Sequence, residues 1–335
     1  MQMTFATPIR LAVDAVGGDF APEAVLEGVT AALAADHLLH VLLVGPTEVV
    51  TPYANAHERV EAIVASDTIA MDEHPAAAVR AHTDSSIVVG CRLVRDGRAH
   101  GFLSAGNTGA IMTAATLIIG RIPGVQRPAI ATVLPTAGAP LVLLDAGANA
   151  DGRPEHLLQF AHMGVAYARA AVGVESPRVA LLNIGEEASK GSLIAQEAHA
   201  LLREQVPGFI GNIEGRDIPA GKADVVVTDG FTGNVVLKLM EGMSRTLLDQ
   251  FGEAVISSPG NKAAAAVFRP ALQSLRDKLD PEAHGAAPLL GVDGLALIGH
   301  GSSGPRAVAS ALRVGATAVR GGLVARITES LAGSA

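Results

Sequence analysis

A single cysteine, Cys91, excludes any disulfide within the chain and fits a reducing, cytoplasmic compartment. It stands in the helix-like stretch SSIVVGCRLV, where no flanking motif would activate a thiol, so a buried structural role is expected. Basic charge is also short. Twenty-five Lys and Arg against 33 Asp and Glu leave a net charge of −8, which argues against broad nucleic-acid binding. Tryptophan is absent and aromatics make up 3% of 335 residues, so the core must be packed from Ala, Val, Leu and Ile. No apolar run is long enough to cross a bilayer; the longest, such as AIMTAATLIIG, reach about a dozen residues. The opening MQMTFATPIRLAV lacks the charged start and long apolar core of a secretory signal. None of the 11 histidines falls in a zinc spacing such as H-E-x-x-H. Asp14 and Asp19 in VDAVGGD form no wider acidic cluster and read as turn caps, so neither metal nor cofactor is expected.

What the chain does have is alternation. Strand patterns at RLAVDAVGG, LHVLLVGP, RVEAIVAS, GFLSAGN, AIATVLPT, PLVLLDAGAN, RVALLNIGEE, GFIGNIEG, ADVVVTDGF and LALIGHGSS are interleaved with helical patterns. The helices are expected at 22–36, 76–96, 108–120, 154–173, 189–205, 233–256, 262–279 and 304–331. Several strands are apolar on both faces, as in a parallel sheet covered by helices. The expected fold is α/β, a doubly wound, mainly parallel sheet flanked by helices, forming one domain over 1–335 in one lobe or two. The stretch 240–285 has no strand pattern and reads as a helical protrusion.

Strand after strand ends in a glycine-rich polar turn that opens into a helix: DAVGGDFAP, SAGNTGA, LDAGANAD, NIGEEASKG, TDGFTGN and GHGSSG. Glycine admits close backbone approach, and each helix start offers free N–H donors with positive dipole charge. Such turns are expected to gather at one rim of the sheet as a polar site for an anion. The segment LIGHGSSG also contains G-x-G-x-x-G through Gly299, Gly301 and Gly304. Dinucleotide binding fails on context, because no acidic residue follows until Glu329 and no further strand is evident.

Together, LAVDAVGGDFAPEAVLEGV, SAGNTGA, VLLDAGAN, LLNIGEEASKG, NIEGRDI, DVVVTDGFTGNVVLKLMEG and PLLGVDGLALIGHGSS closely resemble the bacterial phosphate acyltransferase family, in the family's order, from about residue 10 to residue 320. Val16 stands where the family more often shows Met. The resemblance implies transfer of a fatty acyl group from acyl carrier protein to orthophosphate, giving an acyl phosphate for phospholipid synthesis. It also implies a fold similar to phosphate acetyl- and butyryltransferases and to isopropylmalate dehydrogenase-like proteins. A homodimer, placed peripherally at the membrane, is implied as well, with the glycerol-3-phosphate acyltransferase that uses the product as a further partner.

The residues fit that chemistry. Phosphate attacking a thioester supplies its own nucleophile, which suits a chain with one unremarkable cysteine and no G-x-S-x-G elbow. His300 stands between two glycines at a strand end and is the candidate acid–base, histidine being the side chain that exchanges its proton near neutral pH. Lys190 supplies a point cation, and Asn234 and Asp229 complete the catalytic candidates, Asp229 handling a proton or orienting Lys190 or His300. Substrate binding is expected of Ser104, Gly106, Asn107, Thr108 and Gly109, then of Asn183, Glu186, Thr232, Gly233, Gly301 and Ser302. For Asn107 and Thr108 the competing role is a helix cap.

The segment 262–279 carries Phe268, Leu272 and Leu275 at helical spacing, with Arg269 and Arg276 adding positive charge. It reads as an amphipathic helix that packs on its own core or a dimer partner, or docks the membrane or the acidic carrier protein. Two other functions share the sequence features: a phosphotransacylase acting on acyl-CoA, and a non-catalytic carrier-binding scaffold at the membrane.

Overall fold

The computed structural model describes residues 8–256, Phe268 and 285–332. Eleven strands form one sheet: β1 Ile9–Asp14, β2 Leu39–Gly45, β3 Val60–Val64, β4 Gly101–Ser104, β5 Ala129–Leu134, β6 Leu141–Leu144, β7 Val179–Leu182, β8 Phe209–Ile213, β9 Val225–Val227, β10 Ala286–Leu290 and β11 Leu295–Gly299. Their order across the sheet is β3-β2-β1-β4-β11-β10-β5-β6-β9-β7-β8. Central strands such as β4, β6 and β11 are buried at every position, because helices cover both faces.

Small residues do most of the packing. Helix Pro305–Arg320 buries Ala307, Val308, Ala311, Leu312, Ala316 and Ala318 on one side. The few aromatics are spent in the interior, where Tyr167, Phe102 and Phe160 are fully buried. Cys91 is buried too, and burial pushes its thiol well above the ordinary range, as a structural role requires.

All ten expected strands form, and β10 is the addition. It carries Pro288, which withholds an N–H from the ladder and hides a central strand from pattern reading. Helix Thr47–Asn55 was likewise masked by its internal Pro52. The expected helix at 76–96 breaks into Pro75–Ala81 and Ser86–Arg95, and the one at 304–331 breaks at Gly321 and Gly322. The expected helix at 262–279 lies outside the described residues, and Arg269, Leu272, Leu275 and Arg276 with it; Phe268 is exposed.

Strand direction decides where the turns go. The β11–β10, β10–β5 and β5–β6 pairings are antiparallel, and the other pairings are parallel. Three reversals make β6, β9, β7 and β8 run against β1, β4 and β11. Sheet twist offsets part of this. From β4 to β9 there are five steps, and about 20–25° each gives about 100–125°, leaving the two strand directions about 55–80° apart.

A 27-residue helix, Gly230–Ile256, leaves β9 and packs Leu237 onto the core. Beyond that contact it carries an exposed apolar ridge at four-residue spacing: Phe231, Val235, Leu239, Met243, Leu247 and Phe251. Among the described residues no single helix is long and apolar enough to cross a membrane.

Candidate active site

Hydrogen bonds gather the polar turns into two clusters, while Ala146 and Ala148 of one share a hydrophobic core with Ala110 and Ile111 beside the other. Among the described residues no hydrogen bond or ion pair joins one cluster to the other.

The first cluster lies at the ends of β1, β4 and β11, three parallel neighbours. Ser104 Oγ donates to Asp14 Oδ2 at 2.7 Å and accepts from Gly106 N at 3.0 Å, while Val16 N donates to Asp14 Oδ1 at 3.1 Å. Asp14 is buried, and loss of solvent raises its carboxyl above the ordinary value against the pull of the Ser104 and Ser86 hydroxyls. The pair leaves no room beside it. A Cβ on Gly17 would lie 2.6 Å from Asp14 Oδ2 and 2.8 Å from Ser104 Oγ, so only glycine fits.

Gly301 closes this cluster by accepting from Asp19 N at 2.7 Å. His300 is exposed at the turn. Its Nδ1 accepts from Ser302 N at 3.2 Å and lies 2.8 Å from Ser302 Oγ. A backbone N–H can only donate, so the neutral ring carries its proton on Nε2 and presents a donor outward. Nε2 has no partner among the described residues.

Asn107 takes the capping role. Its Oδ1 accepts from Ala110 N at 3.0 Å, and its Nδ2 donates to the carbonyls of Ala70, Met71 and Glu73 at 3.0, 3.2 and 3.0 Å. In this arrangement both amide hydrogens of Asn107 are engaged by backbone carbonyls. Thr108 is exposed at the helix start, with Gly106 buried and Gly109 partly so.

The segment pinned by Asn107 walls a cleft of about 210 Å³ lined by Val16, Ile69, Met71 and Ile87, with Asp14 and Ser86 in its buried part. A second clasp holds the wall: His82 Nδ1 to Asp67 Oδ2 at 2.7 Å and His82 Nε2 to Glu73 Oε2 at 2.9 Å. The Asp67 bond chiefly raises the His82 pKa above 6.5. A raised histidine pKa contributes stability that is full below the unfolded value and fades as pH climbs through the folded one. Amide exchange over residues 68–73, corrected for the intrinsic rate, is therefore expected to lose protection as pH rises above 6.5, and His82→Ala to abolish that dependence. Protection that stays flat with pH in the parent protein would remove the clasp.

The second cluster lies at the ends of β6, β9 and β7. Its centre is a residue the sequence reading passed over, Asp145, which is fully buried. Oδ1 accepts from the backbone N of Ile130, Gly147 and Ala148 at 3.0, 3.1 and 2.9 Å, and Oδ2 from Asn149 N and Nδ2 at 2.7 and 2.9 Å. Burial raises its carboxyl while these donors pull it back. The one sequence signal was an aspartate ending four apolar residues, followed by Ala-Gly-Ala-Asn.

The long helix starts against this loop. A Cβ on Gly233 would overlap the Asp145 carbonyl oxygen, so glycine sets the approach. Asp229 caps that helix, Oδ1 accepting from Thr232 N and Oδ2 from Thr232 Oγ1, both at 2.8 Å. Among the described residues Asp229 bonds neither Lys190 nor His300, and Thr232 Oγ1 donates within the same cap. Asn234 lies over Gly147, with its amide unpaired among the described residues; a Cβ on Gly147 would be 3.6 Å from Asn234 Oδ1.

Asn183 braces the next loop, its Nδ2 donating to Lys190 O at 3.0 Å and its Oδ1 accepting from Ile184 N at 2.8 Å. Glu186 pairs with Lys222 at 2.5 Å on the surface. Lys190 is exposed and has no ion pair among the described residues.

Comparison with known proteins agrees with this architecture. Residues 9–326 match a family described as "Fatty acid synthesis protein". A phosphate acyltransferase from Heliobacterium modesticaldum is 48% identical over 97% of this chain and 98% of its own length. One from Myxococcus xanthus is 45% identical over 96% and 94%. The fold is similar to that of a phosphotransacetylase from Streptococcus pyogenes, with a TM-score of 0.60 at 18% identity over 93% and 94% of the two chains. It is also similar to a branched-chain phosphotransacylase from Enterococcus faecalis, with a TM-score of 0.60 at 15% identity over 93% and 99%. By the span of these matches and the identity to its relatives, the chain belongs to the fatty acid synthesis protein family, a family of acyltransferase enzymes.

Proposed function

We propose that the protein moves a fatty acyl group from an acyl-[acyl carrier protein] thioester to orthophosphate, giving an acyl phosphate for phospholipid synthesis. Lys190 carries this reading. Its ammonium stands exposed on a braced loop with no counter-ion among the described residues, as suits a cation that receives an anionic substrate. A phosphate oxygen attacks the thioester carbonyl carbon, the new C–O bond forms, the C–S bond breaks, and the departing sulfur takes up a proton. A thiol of pKa near 8.5 leaves readily, so no protein side chain need be acylated.

In this reading Lys190 and Asn234 hold phosphate, and the His300 Nε2–H donates to the charge that develops on the donor. The chemistry requires the two clusters to meet over one pair of substrates. The reading extends to a homodimer at the cytoplasmic membrane surface, with the exposed ridge from Phe231 to Phe251 as apolar contact surface.

Purified protein given phosphate and palmitoyl-carrier protein is expected to release thiol far faster than with acetyl-CoA. Lys190→Ala is expected to raise KM for phosphate about 10–100-fold, the worth of one charge-assisted hydrogen bond, with KM for the donor little changed. Turnover of the short CoA donor alone would overturn the donor assignment. An unchanged phosphate KM would remove Lys190 from the site.

A further inference from the structure

We propose that the start of helix Pro154–Tyr167, flanked by Arg127 and Arg153 and by the buried ring of His156, is a binding site for orthophosphate, joined to the second cluster through Arg127. This site rests on the phosphate-acceptor reading above and adds two binding residues to it.

Hydrogen bonds on both sides fix the place of Arg127. Gln126 N donates to Gln159 Oε1 at 2.9 Å, which ties the segment to helix Pro154–Tyr167 three residues past His156. Pro128 O accepts from Asn149 Nδ2 at 2.8 Å, and Asn149 O accepts from Gly230 N at 2.8 Å. Gly230 is the first residue of the helix that carries Asn234. The backbone of Arg127 is thus stitched between the helix start and the second cluster.

The charges there are uncommitted. Arg127 and Arg153 are both exposed, and no ion pair or side-chain hydrogen bond holds either one among the described residues. The helix adds the positive end of its dipole, because Arg153 at the N-cap supplies no side-chain acceptor. Guanidinium forks match the oxygens of a phosphate in pairs. Two exposed carboxylates, Asp151 and Glu155, lie on the same stretch of chain and compete with an anion for the arginines.

His156 is the independent sign of a ligand. It is 7% exposed, and its ring lies against the fully buried Phe160 with centroids 6.4 Å apart. Helical side chains lean toward the N-terminus, so the ring of this third residue lies over the helix start. Its Nδ1 is buried and has no hydrogen-bond partner. Buried polar atoms are ordinarily paired. Burial first, then the charges of Arg127 and Arg153, hold the His156 pKa below 6.5, against the opposite pull of Glu155. Arginine offers only donors, as does a ring N–H, and an oxyanion is the acceptor that serves all three.

Phosphate binding without an acyl donor tests the site. Inorganic phosphate titrated into the full chain by calorimetry is expected to bind about 10–100-fold more weakly to Arg127→Ala and to Arg153→Ala, each having lost a charge-assisted hydrogen bond. Both side chains are exposed, so folding is not at stake. Arg127→Lys is expected to recover part of the loss, and Glu155→Gln to tighten binding by removing a competing carboxylate.

The His156 ring gives a readout that a merely structural role would not move. Its NMR signal, assigned by its loss in His156→Gln, is expected to titrate at higher pH with phosphate than without, because a neighbouring anion favours the imidazolium. Arg127→Ala should abolish that difference. A His156 signal that ignores phosphate in the parent protein, or equal phosphate affinity in the parent and Arg127→Ala, would overturn the proposal and leave Lys190 and Asn234 as the phosphate site. Should the parent protein transfer no acyl group to phosphate, the functional reading falls, and the His156 titration still decides whether the anion binds here.

Discussion

Asp145→Ala is expected to lower the free energy of unfolding by about 3–5 kcal/mol, at the upper end of single substitutions. The carboxylate is the acceptor for four backbone N–H groups and the Asn149 amide. A buried donor stripped of its partner costs about 1–3 kcal/mol. Gly147, Ala148 and Asn149 reach solvent and recover part of that loss, whereas Ile130 N sits inside the sheet. The carbonyl of Asp145 is also the surface on which Gly233 packs, so the start of helix Gly230–Ile256 loosens with it. Asp145→Asn is expected to cost less, about 2–3 kcal/mol, since Oδ1 keeps its acceptor while the new NH2 faces the Asn149 donors. Urea denaturation checks both; an Asp145→Ala midpoint within about 1 kcal/mol of the parent would show that the donors find other partners.

His300→Ala is expected to lower kcat about 10²–10³-fold, the usual loss when one preorganised donor to a developing charge is removed. The argument starts from Ser302 N, which can only donate and so places the proton of the neutral ring on Nε2. No described residue takes up that proton, and the ring sits at the turn that Gly301 locks to Asp19. His300→Gln, which keeps a side-chain N–H, is expected to recover part of the rate. Ser302→Ala leaves the orienting backbone N–H in place and should cost less than tenfold. Steady-state rates with saturating phosphate and carrier thioester make the comparison. Parent-like turnover by His300→Ala would leave the first cluster without a chemical role.

Much of this was legible beforehand, and the misses share a physical origin. Strands and helices show as periodic burial, a local property, so ten strands could be read and only Pro288 hid the eleventh. Lys190 and Asn234 could be picked out as polar residues at strand ends, and their unpaired state among the described residues fits that choice. Asn107, Asp229 and Thr232 could not be separated from them, because a cap and a ligand group use the same side chains. Only the positions of the acceptors tell the two apart. Asp145 was missed for the converse reason: the backbone donors that surround it come from two segments, β5 and the loop after β6, whose meeting leaves little mark in the sequence.

Composition and pattern alone determined the α/β alternation, the packing by small apolar residues, the inert cysteine and the family membership that the motifs carry. Those depend on which residues stand next to one another. The tertiary structure decided which polar turns share hydrogen bonds, that Asn107 pins the segment from Ala70 to Glu73, and that Asp145 is buried among backbone donors. Each follows from which strand pairs with which, and in which direction. Pairing energy is collected between segments more than a hundred residues apart, as where β10 reverses beside β5, so no local stretch of sequence can state it.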